Sequence, residues 1–152
     1  MSGNSMYPTL EDGDYLLVNS FDNEFHRGEV VVFYNESLEK LLIKRVVAVP
    51  GDTVCTVNGD VYIKKYGETE FSLVYEPYVR QPHRTFRSAY LRGQDMEAVT
   101  VGEGSVFVLG DNRTDSYDSR GFGAVPVDSI VGSVSEFVIY WRYPLQFLYR
   151  MF

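Results

Sequence analysis

The residues best suited to catalysis are Ser5, near the start of the chain, and Lys44, within an apolar stretch. A serine hydroxyl attacks a carbonyl only when a base within hydrogen-bond distance accepts its proton. Histidine is the usual base, but the chain has only His26 and His83, and neither stands in a recognisable triad context. The sequence therefore disfavours a Ser-His-Asp site and leaves Lys44 as the candidate base.

A lysine acts as a base only when its amine is neutral, whereas a free lysine is about 99.9% charged at neutral pH. Desolvation can lower a lysine pKa by up to about 3–5 units. If residues 41–49 form a strand, Leu42, Lys44 and Val46 share one face, which surrounds the amine with apolar side chains. Taken alone, a lysine in an apolar strand more often marks an exposed edge. The motifs before and after Lys44 favour the catalytic interpretation.

Three segments carry these motifs: Ser-Gly-Asn-Ser-Met-Tyr-Pro-Thr-Leu at 2–10, Lys-Arg-Val-Val-Ala-Val-Pro-Gly-Asp at 44–52 and Gly-Asp-Asn-Arg-Thr-Asp-Ser-Tyr-Asp-Ser-Arg at 110–120. In this order they resemble the signature of type I signal peptidases, and more closely the compact Gram-positive ones. The resemblance implies a membrane-associated serine endopeptidase that removes signal peptides after Ala-x-Ala-like sites. Ser5 is then the nucleophile and Lys44 its general base, and no metal or cofactor is implied.

The resemblance also implies roles for five supporting residues. Ser116 matches a serine whose hydroxyl orients the lysine amine. Asp118 and Arg120 match a salt bridge near the site, and Asp111 matches an acid that pairs with the arginine after the catalytic lysine, here Arg45. Because a carboxylate close to the lysine amine would favour its charged form, we assign Asp118 to Arg120 rather than to proton transfer.

Two features of substrate binding follow from the same resemblance. An oxyanion intermediate needs preorganised donors, and the backbone N–H of Ser5 is one candidate. The second donor is open, because Gly3 stands where Gram-negative relatives have a serine; it could offer its N–H or let the loop approach the substrate. The resemblance also implies small apolar pockets for alanine-sized side chains, although aliphatic residues at such positions are more often simply part of the core. The positions that match the family's pockets are Met6, Leu10, Leu42 and Ile43.

The elements that must position these residues are predicted to be strands. Short apolar runs stand near Gly, Asn, Asp or Pro, and Asn58-Gly59 is typical of a two-residue hairpin turn. No helix of a dozen residues has both a clean period and caps. We expect a mainly β fold, with the coiled antiparallel sheets of the signal peptidase and LexA-like type. The predicted strands include residues 15–18, 30–34, 41–49, 106–109 and 138–141.

Length and composition predict a single domain, since 152 residues with 45% apolar content suffice for one core. We place the core at about 1–65 and 97–140, with an inserted extension at about 66–96. The single cysteine, Cys55, excludes an internal disulfide. The net charge of -7 opposes a nucleic-acid partner, because such binding depends on neutralising phosphates.

The expected partners are signal peptides and a phospholipid membrane surface. No run of about 18 or more apolar residues occurs in the chain, so no segment of it is expected to span a bilayer. The resemblance implies a membrane anchor just before Ser5, and we expect that this anchor has been removed. The resemblance places the catalytic domain at the cell membrane, on its extracytoplasmic face. The basic and aromatic segment 66–96 contacts lipid headgroups or is a solvated loop, and the aromatic segment 141–152 lies at the membrane interface or packs on the domain.

Two other functions share this fold or chemistry. A LexA-like self-cleaving regulator would use the same Ser-Lys pair, but it needs a DNA-binding domain and a cleavage site before Ser5, and this chain has neither. A catalytically silent relative could serve as a chaperone or assembly module for exported proteins. Retention of Ser5, Lys44 and Ser116 argues against the silent module.

Overall fold

The computed structural model describes residues 3–21, 24–79, 85–87 and 94–135. The predicted strand at 138–141, the aromatic segment 141–152 and part of the basic and aromatic segment lie outside these residues. Ten strands are described: β1 (Val18–Asn19), β2 (Val30–Asn35), β3 (Lys40–Ala48), β4 (Thr53–Val57), β5 (Asp60–Lys64), β6 (Ser72–Leu73), β7 (Val99–Thr100), β8 (Ser105–Leu109), β9 (Val125–Pro126) and β10 (Ile130–Val134).

The strands form two antiparallel sheets. The larger sheet has the order β1-β10-β2-β3-β8-β9 and the smaller one β6-β5-β4-β7. Within the described residues, helical structure is limited to one four-residue helix, α1 (Ser119–Phe122), and the 3-10 turns Glu36–Leu38 and Val127–Ser129. The expectation of a mainly antiparallel β fold is confirmed. The predicted strand at 15–18 is displaced, since pairing with β10 begins only at Val18.

β2 and β3 form the central hairpin of the larger sheet. Val31 lies opposite Lys44, and the register runs without a break from Val30 to Asn35. The hairpin turns where the Asn35 side chain accepts a hydrogen bond from the Leu38 N–H at 3.0 Å. β3 is exposed or half-buried over residues 40–43 and buried from Lys44 to Ala48, and the pairing with β2 fixes the position of Lys44 within the sheet.

The two long edges of β3 differ. β2 pairs with β3 from Lys40 to Arg45, whereas the described pairing with β8 begins at Arg45 and ends at Ala48. The half of β3 at residues 40–44 therefore has no strand partner on its β8 side among the described residues. We call this half the free half of β3.

The smaller sheet is built on the predicted hairpin. Asn58 and Gly59 both have positive φ, of 53° and 83°, as the turn requires. Their backbone N–H groups donate to the two carboxylate oxygens of Asp95, at 2.8 and 2.9 Å. The hairpin prediction is confirmed, and Asp95 ties the turn to a segment that follows much later in the chain.

A shared core joins the two sheets. One cluster of buried side chains combines residues of β3 and β8 with residues of β4 and β5. A second cluster lies below the N-terminal segment, and a third lies on the other face of β2. The members of the joining cluster include Val47, Ala48, Val54, Val61, Ile63, Phe107 and Leu109.

The Pro50-Gly51-Asp52 turn between β3 and β4 holds a buried carboxylate that pairs with the exposed Arg27. Asp52 is 0% exposed and accepts hydrogen bonds from the Arg27 guanidinium at 2.7 and 2.5 Å. It also accepts the Val49 N–H at 3.0 Å. The Arg27–Asp52 pair thus fixes the end of β3 that lies away from Lys44.

We predict that Gly59→Ala lowers the free energy of unfolding by about 1–2 kcal/mol, because an L-residue at positive φ brings its Cβ against the backbone. Chemical denaturation measures the effect. Gly102→Ala is the matched control, since Gly102 has no positive φ and open space beside it. Equal stability of the two variants would contradict the assignment of the turn.

Candidate active site

Ser5 lies on a tight N-terminal loop, residues 3–10, which we call the nucleophile loop. Two backbone hydrogen bonds curl it, from Tyr7 N–H to the Asn4 carbonyl and from Leu10 N–H to the Met6 carbonyl, both at 3.0 Å. Met6 and Leu10 are fully buried against β2 and β10. Apolar burial on one side of the loop therefore leaves Ser5 half-buried on the other.

The structure brings Lys44 and Ser5 into direct contact. Lys44 Nζ lies 2.6 Å from Ser5 Oγ, and it also donates to the Ile43 carbonyl at 2.9 Å. When the amine is neutral, its lone pair can accept the serine proton across this short distance. The two residues singled out from the sequence are thus adjacent, although 39 positions separate them.

Burial gives Lys44 the electrostatics of a base. The residue is 3% exposed, and desolvation lowers its pKa from 10.5 to about 8, although the Asp118 and Asp111 carboxylates act in the opposite direction. The apolar surroundings come from β3 itself, where Leu42 and Val46 pack into one cluster on the face that strand alternation gives to Lys44. Desolvation outweighs the attraction of both carboxylates.

Arg45 alternates to the other face of β3 and pairs with Asp111. Its guanidinium donates to both Asp111 oxygens, at 2.8 and 2.6 Å, and to the Gly28 carbonyl at 2.6 Å. The Thr9 hydroxyl donates to Asp111 at 2.5 Å. The pair that the family resemblance implied is present, and through Thr9 it also holds the end of the nucleophile loop.

Asp118 pairs with Arg120, as the family resemblance implied. The two oxygens accept from the Arg120 guanidinium at 2.8 and 2.7 Å, and one also accepts the Gly110 N–H at 3.0 Å. Burial alone would raise the pKa of Asp118, but the hydrogen bonds and charge of Arg120 hold that pKa below its usual range. The Asp118 carboxyl is thus ionised near neutral pH, and Arg120 compensates its charge.

Gly110 is the point at which the motif after β8 touches the nucleophile loop. A Cβ on Gly110 would lie 2.2 Å from Ser116 Oγ and 2.6 Å from the Ser5 carbonyl oxygen. The next residues complete the contact, because Asn112 donates its N–H to the Ser5 carbonyl at 3.0 Å and its amide to the Asn4 carbonyl at 3.2 Å. The turn at 110–112, which we call the Gly110 turn, therefore fixes the backbone of Ser5.

Ser116 differs from the expectation drawn from the sequence. Its hydroxyl is buried and makes no hydrogen bond of good geometry, although it lies close enough to Asp118 to help hold down the pKa of that carboxyl. The expected bond to the lysine amine is not formed in this structure, in which the hydrogen-bond partners of Lys44 Nζ are Ser5 Oγ and the Ile43 carbonyl. Ser116 instead packs on Gly110.

The residues expected to bind substrate divide into three groups. Met6 and Leu10 lie in the core, with 0% and 2% exposure. This agrees with the alternative interpretation, in which these residues are simply part of the core. Leu42 and Ile43 are half-buried on the free half of β3. Gly3 is exposed, and its N–H donates to Asp12 at 2.8 Å, so that donor is already engaged in this state.

Sequence reasoning missed a second layer of charged residues behind the site. Arg113 is buried and pairs with Glu76, and the Tyr78 ring lies over the Arg45 guanidinium at 3.9 Å. Arg113 belongs to the Gly-Asp-Asn-Arg motif, so the sequence did place it in a segment expected at the site. Glu76 and Tyr78 fall in the segment predicted as an extension, where no sequence signal pointed to the site.

Within the residues that the structure describes, no group of three or more His, Cys, Asp or Glu side chains could hold a metal ion. In the same residues, no helix has the length and apolar character needed to cross a membrane.

A solved structure with a similar fold indicates the class of protein. Signal peptidase I from Enterococcus faecalis V583 matches with a TM-score of 0.58 and 28% identity, over 74% of this chain and 97% of that one. This similarity indicates that the chain has the mainly antiparallel β fold of a signal peptidase.

Sequence comparisons identify the family. The model of the family described as "Signal peptidase, peptidase S26" matches residues 1–141. Signal peptidase I of Bacillus caldolyticus is 38% identical over 94% of this chain and 78% of its own length, and signal peptidase I V of Bacillus subtilis is 35% identical over 90% and 82%. The chain belongs to the signal peptidase family. It is therefore an enzyme, a serine endopeptidase, as the resemblance implied.

We predict that Gly110→Ala abolishes most peptidase activity while the protein still folds. The added methyl group must displace the Ser5 carbonyl or Ser116 Oγ, and a shift of about 1 Å at a reacting group can cost about 100-fold in rate. Cleavage rates and circular dichroism measure both properties, with Gly102→Ala as the control. Full activity in Gly110→Ala would show that the turn does not set the Ser5 position.

Proposed function

We propose that this serine peptidase removes signal peptides from exported preproteins after Ala-x-Ala-like sites, with Ser5 as nucleophile and Lys44 as general base. The observation that carries the proposal is the 2.6 Å contact between Ser5 Oγ and a buried lysine amine whose pKa is lowered to about 8. An amine with this pKa is deprotonated in a useful fraction of molecules near neutral pH. No cofactor enters the mechanism.

In the acylation step, the neutral Lys44 amine accepts the Ser5 proton as Ser5 Oγ forms a bond to the scissile carbonyl carbon. The resulting ammonium then gives its proton to the leaving nitrogen as the C–N bond breaks. This leaves an ester between Ser5 and the signal peptide. In deacylation, Lys44 accepts a proton from water as the water oxygen attacks the ester, and it returns a proton to Ser5 Oγ.

The oxyanion and the lysine amine both need positioning groups. The Ser5 N–H is the proposed first donor to the oxyanion, while Gly3 would have to release Asp12 before its N–H could be a second one. Ser116 is proposed to orient the Lys44 amine once substrate engages Ser5, because its buried hydroxyl lies beside the same glycine that contacts Ser5. Arg45, Asp111, Asp118 and Arg120 hold these groups in place.

The substrate is proposed to bind as an extended strand along the free half of β3. Residues 40–44 offer backbone N–H and C=O groups on the side that β8 leaves open, and strand addition uses such groups. Leu42 and Ile43 are half-buried there and give apolar surface for small side chains just before the cleavage site. The buried Met6 and Leu10 support this surface from the core.

The domain is proposed to work against a phospholipid membrane surface on the extracytoplasmic face of the cell membrane, where exported preproteins emerge. The segment after the nucleophile loop carries exposed Tyr15, Leu17 and Phe21, with 96%, 66% and 94% of each side chain accessible. Aromatic rings of this kind collect at membrane interfaces. The membrane anchor expected from the family resemblance would keep the site at this surface.

We predict that Ser5→Ala and Lys44→Met each lower kcat for an Ala-x-Ala signal-peptide substrate by on the order of 10⁴-fold, because removal of either partner stops proton transfer in the attack. Lys65→Met, which alters an exposed lysine outside the site, should keep activity. Mass spectrometry of the products in detergent measures both rate and cleavage position. Cleavage surviving in folded Lys44→Met would exclude Lys44 as the base, and a folded wild-type protein that stays inert in a membrane-anchored form would favour the silent module.

We predict that kcat/KM rises about tenfold per pH unit below the Lys44 pKa of about 8 and levels off above it, since only the neutral amine can accept the Ser5 proton. The sign follows from desolvation, which disfavours the charged amine and moves the rise down from the free-lysine value. Initial rates with a substrate that lacks titrating groups give the profile. A rate that falls as pH rises through this range would contradict the assignment.

A further inference from the structure

A buried ion pair links the predicted extension to the Gly110 turn. Arg113 is 2% exposed and Glu76 is 8% exposed. Arg113 Nη1 donates to one Glu76 oxygen at 2.7 Å and to the Thr85 hydroxyl at 2.8 Å, and Arg113 Nη2 bonds the other Glu76 oxygen. The carboxylate charge raises the pKa of Arg113, against the opposing effect of burial. Arg113 is therefore held as a cation by Glu76.

The same guanidinium holds the Gly110 turn. Arg113 Nε donates to the Gly110 carbonyl at 3.0 Å, while the Gly110 N–H is bound by Asp118. Both polar groups of the Gly110 backbone are thus fixed by charged side chains. Since Gly110 is packed on the Ser5 carbonyl, a change in its position must be transmitted to Ser5.

Glu76 also connects to the arginine beside the catalytic lysine. The Tyr78 hydroxyl donates to Glu76 at 3.2 Å, and the Tyr78 ring covers the Arg45 guanidinium at 3.9 Å. Two buried arginines are then matched by two buried acids, Asp111 and Glu76. Removal of either acid would leave an uncompensated buried cation behind the site, which is strongly unfavourable.

We propose that Glu76 is a positioning residue for the peptidase reaction, which acts through Arg113 to hold the Gly110 turn against Ser5. The proposal rests on the function proposed above, because it deepens the account of how that site is assembled. Glu76 is not among the groups that shift the pKa of Lys44. Loss of Glu76 should displace the Ser5 backbone through Arg113 and the Gly110 turn. The pH at which Lys44 loses its proton should stay the same.

The test compares Glu76→Gln with Asp52→Asn. Both changes convert a buried, arginine-paired carboxylate to an amide, but the Arg27–Asp52 pair makes no contact with the Gly110 turn. We expect kcat for the Ala-x-Ala peptide to fall at least tenfold in Glu76→Gln, with KM and the acid limb of the pH profile unchanged. Asp52→Asn should lose stability in denaturation while kcat stays within about threefold, since a shift has to reach the reacting atoms to lower the rate.

A double variant separates positioning from stability. Glu76→Gln with Arg113→Met leaves no unpaired buried charge, so the free energy of unfolding should recover relative to Glu76→Gln alone. The Gly110 carbonyl still lacks its donor, so kcat should stay low. The double variant also carries the test if Glu76→Gln alone does not fold. Recovery of kcat together with stability, or equal kcat losses in Glu76→Gln and Asp52→Asn, would overturn the proposal.

A second measurement does not depend on cleavage. The Asn112 N–H donates to the Ser5 carbonyl, so its hydrogen exchange reports the contact between the turn and the nucleophile loop. We expect faster exchange at Asn112 in Glu76→Gln or the double variant, and not in Asp52→Asn. If the wild-type protein does not cleave the peptide, this exchange alone decides the positioning role, and equal Asn112 exchange in the glutamate and aspartate variants overturns it.

Discussion

A lysine amine can serve as a base near neutral pH only where its surroundings penalise its positive charge, and the structure around Lys44 meets this condition. Its position in β3, opposite Val31 and between Leu42 and Val46, removes it from water. A free carboxylate close to the amine would outweigh desolvation, because an ion pair stabilises the charged form of the lysine. The site must therefore be apolar at the amine and yet contain the acids that order its loops.

The arrangement of ion pairs reconciles these demands. Each buried acid near the site is committed to its own arginine: Asp111 to Arg45, Asp118 to Arg120 and Glu76 to Arg113. The acids are therefore occupied by guanidinium groups, and desolvation remains the largest influence on the Lys44 pKa. Such pairs are weak evidence for net stability, but their geometry is specific. Here they join loops that approach from different parts of the chain.

Local patterns predicted much of this fold, and long-range pairing explains the rest. The Asn58-Gly59 turn and the strands around Lys44 follow from backbone conformation and apolar runs, which neighbouring residues determine. The Arg45–Asp111 and Asp118–Arg120 pairs were expected from the family resemblance. Glu76 was missed, because no local pattern specifies that an acid in an irregular segment meets an arginine 37 positions away. The bond expected between Ser116 and Lys44 depends on side-chain geometry that sequence patterns do not determine.

The parts of the site lie far apart along the chain, so the site can form only after most of the chain has been synthesised. The Thr9 hydroxyl meets Asp111 across 102 positions, and the nucleophile loop rests on the Gly110 turn. Closing so long a loop is entropically costly and tends to come late in folding. A chain synthesised only as far as β3 would carry both Ser5 and Lys44, but its lysine would be solvated and protonated. Under the mechanism proposed above, proteolytic chemistry is therefore withheld until almost the whole domain has been made and folded.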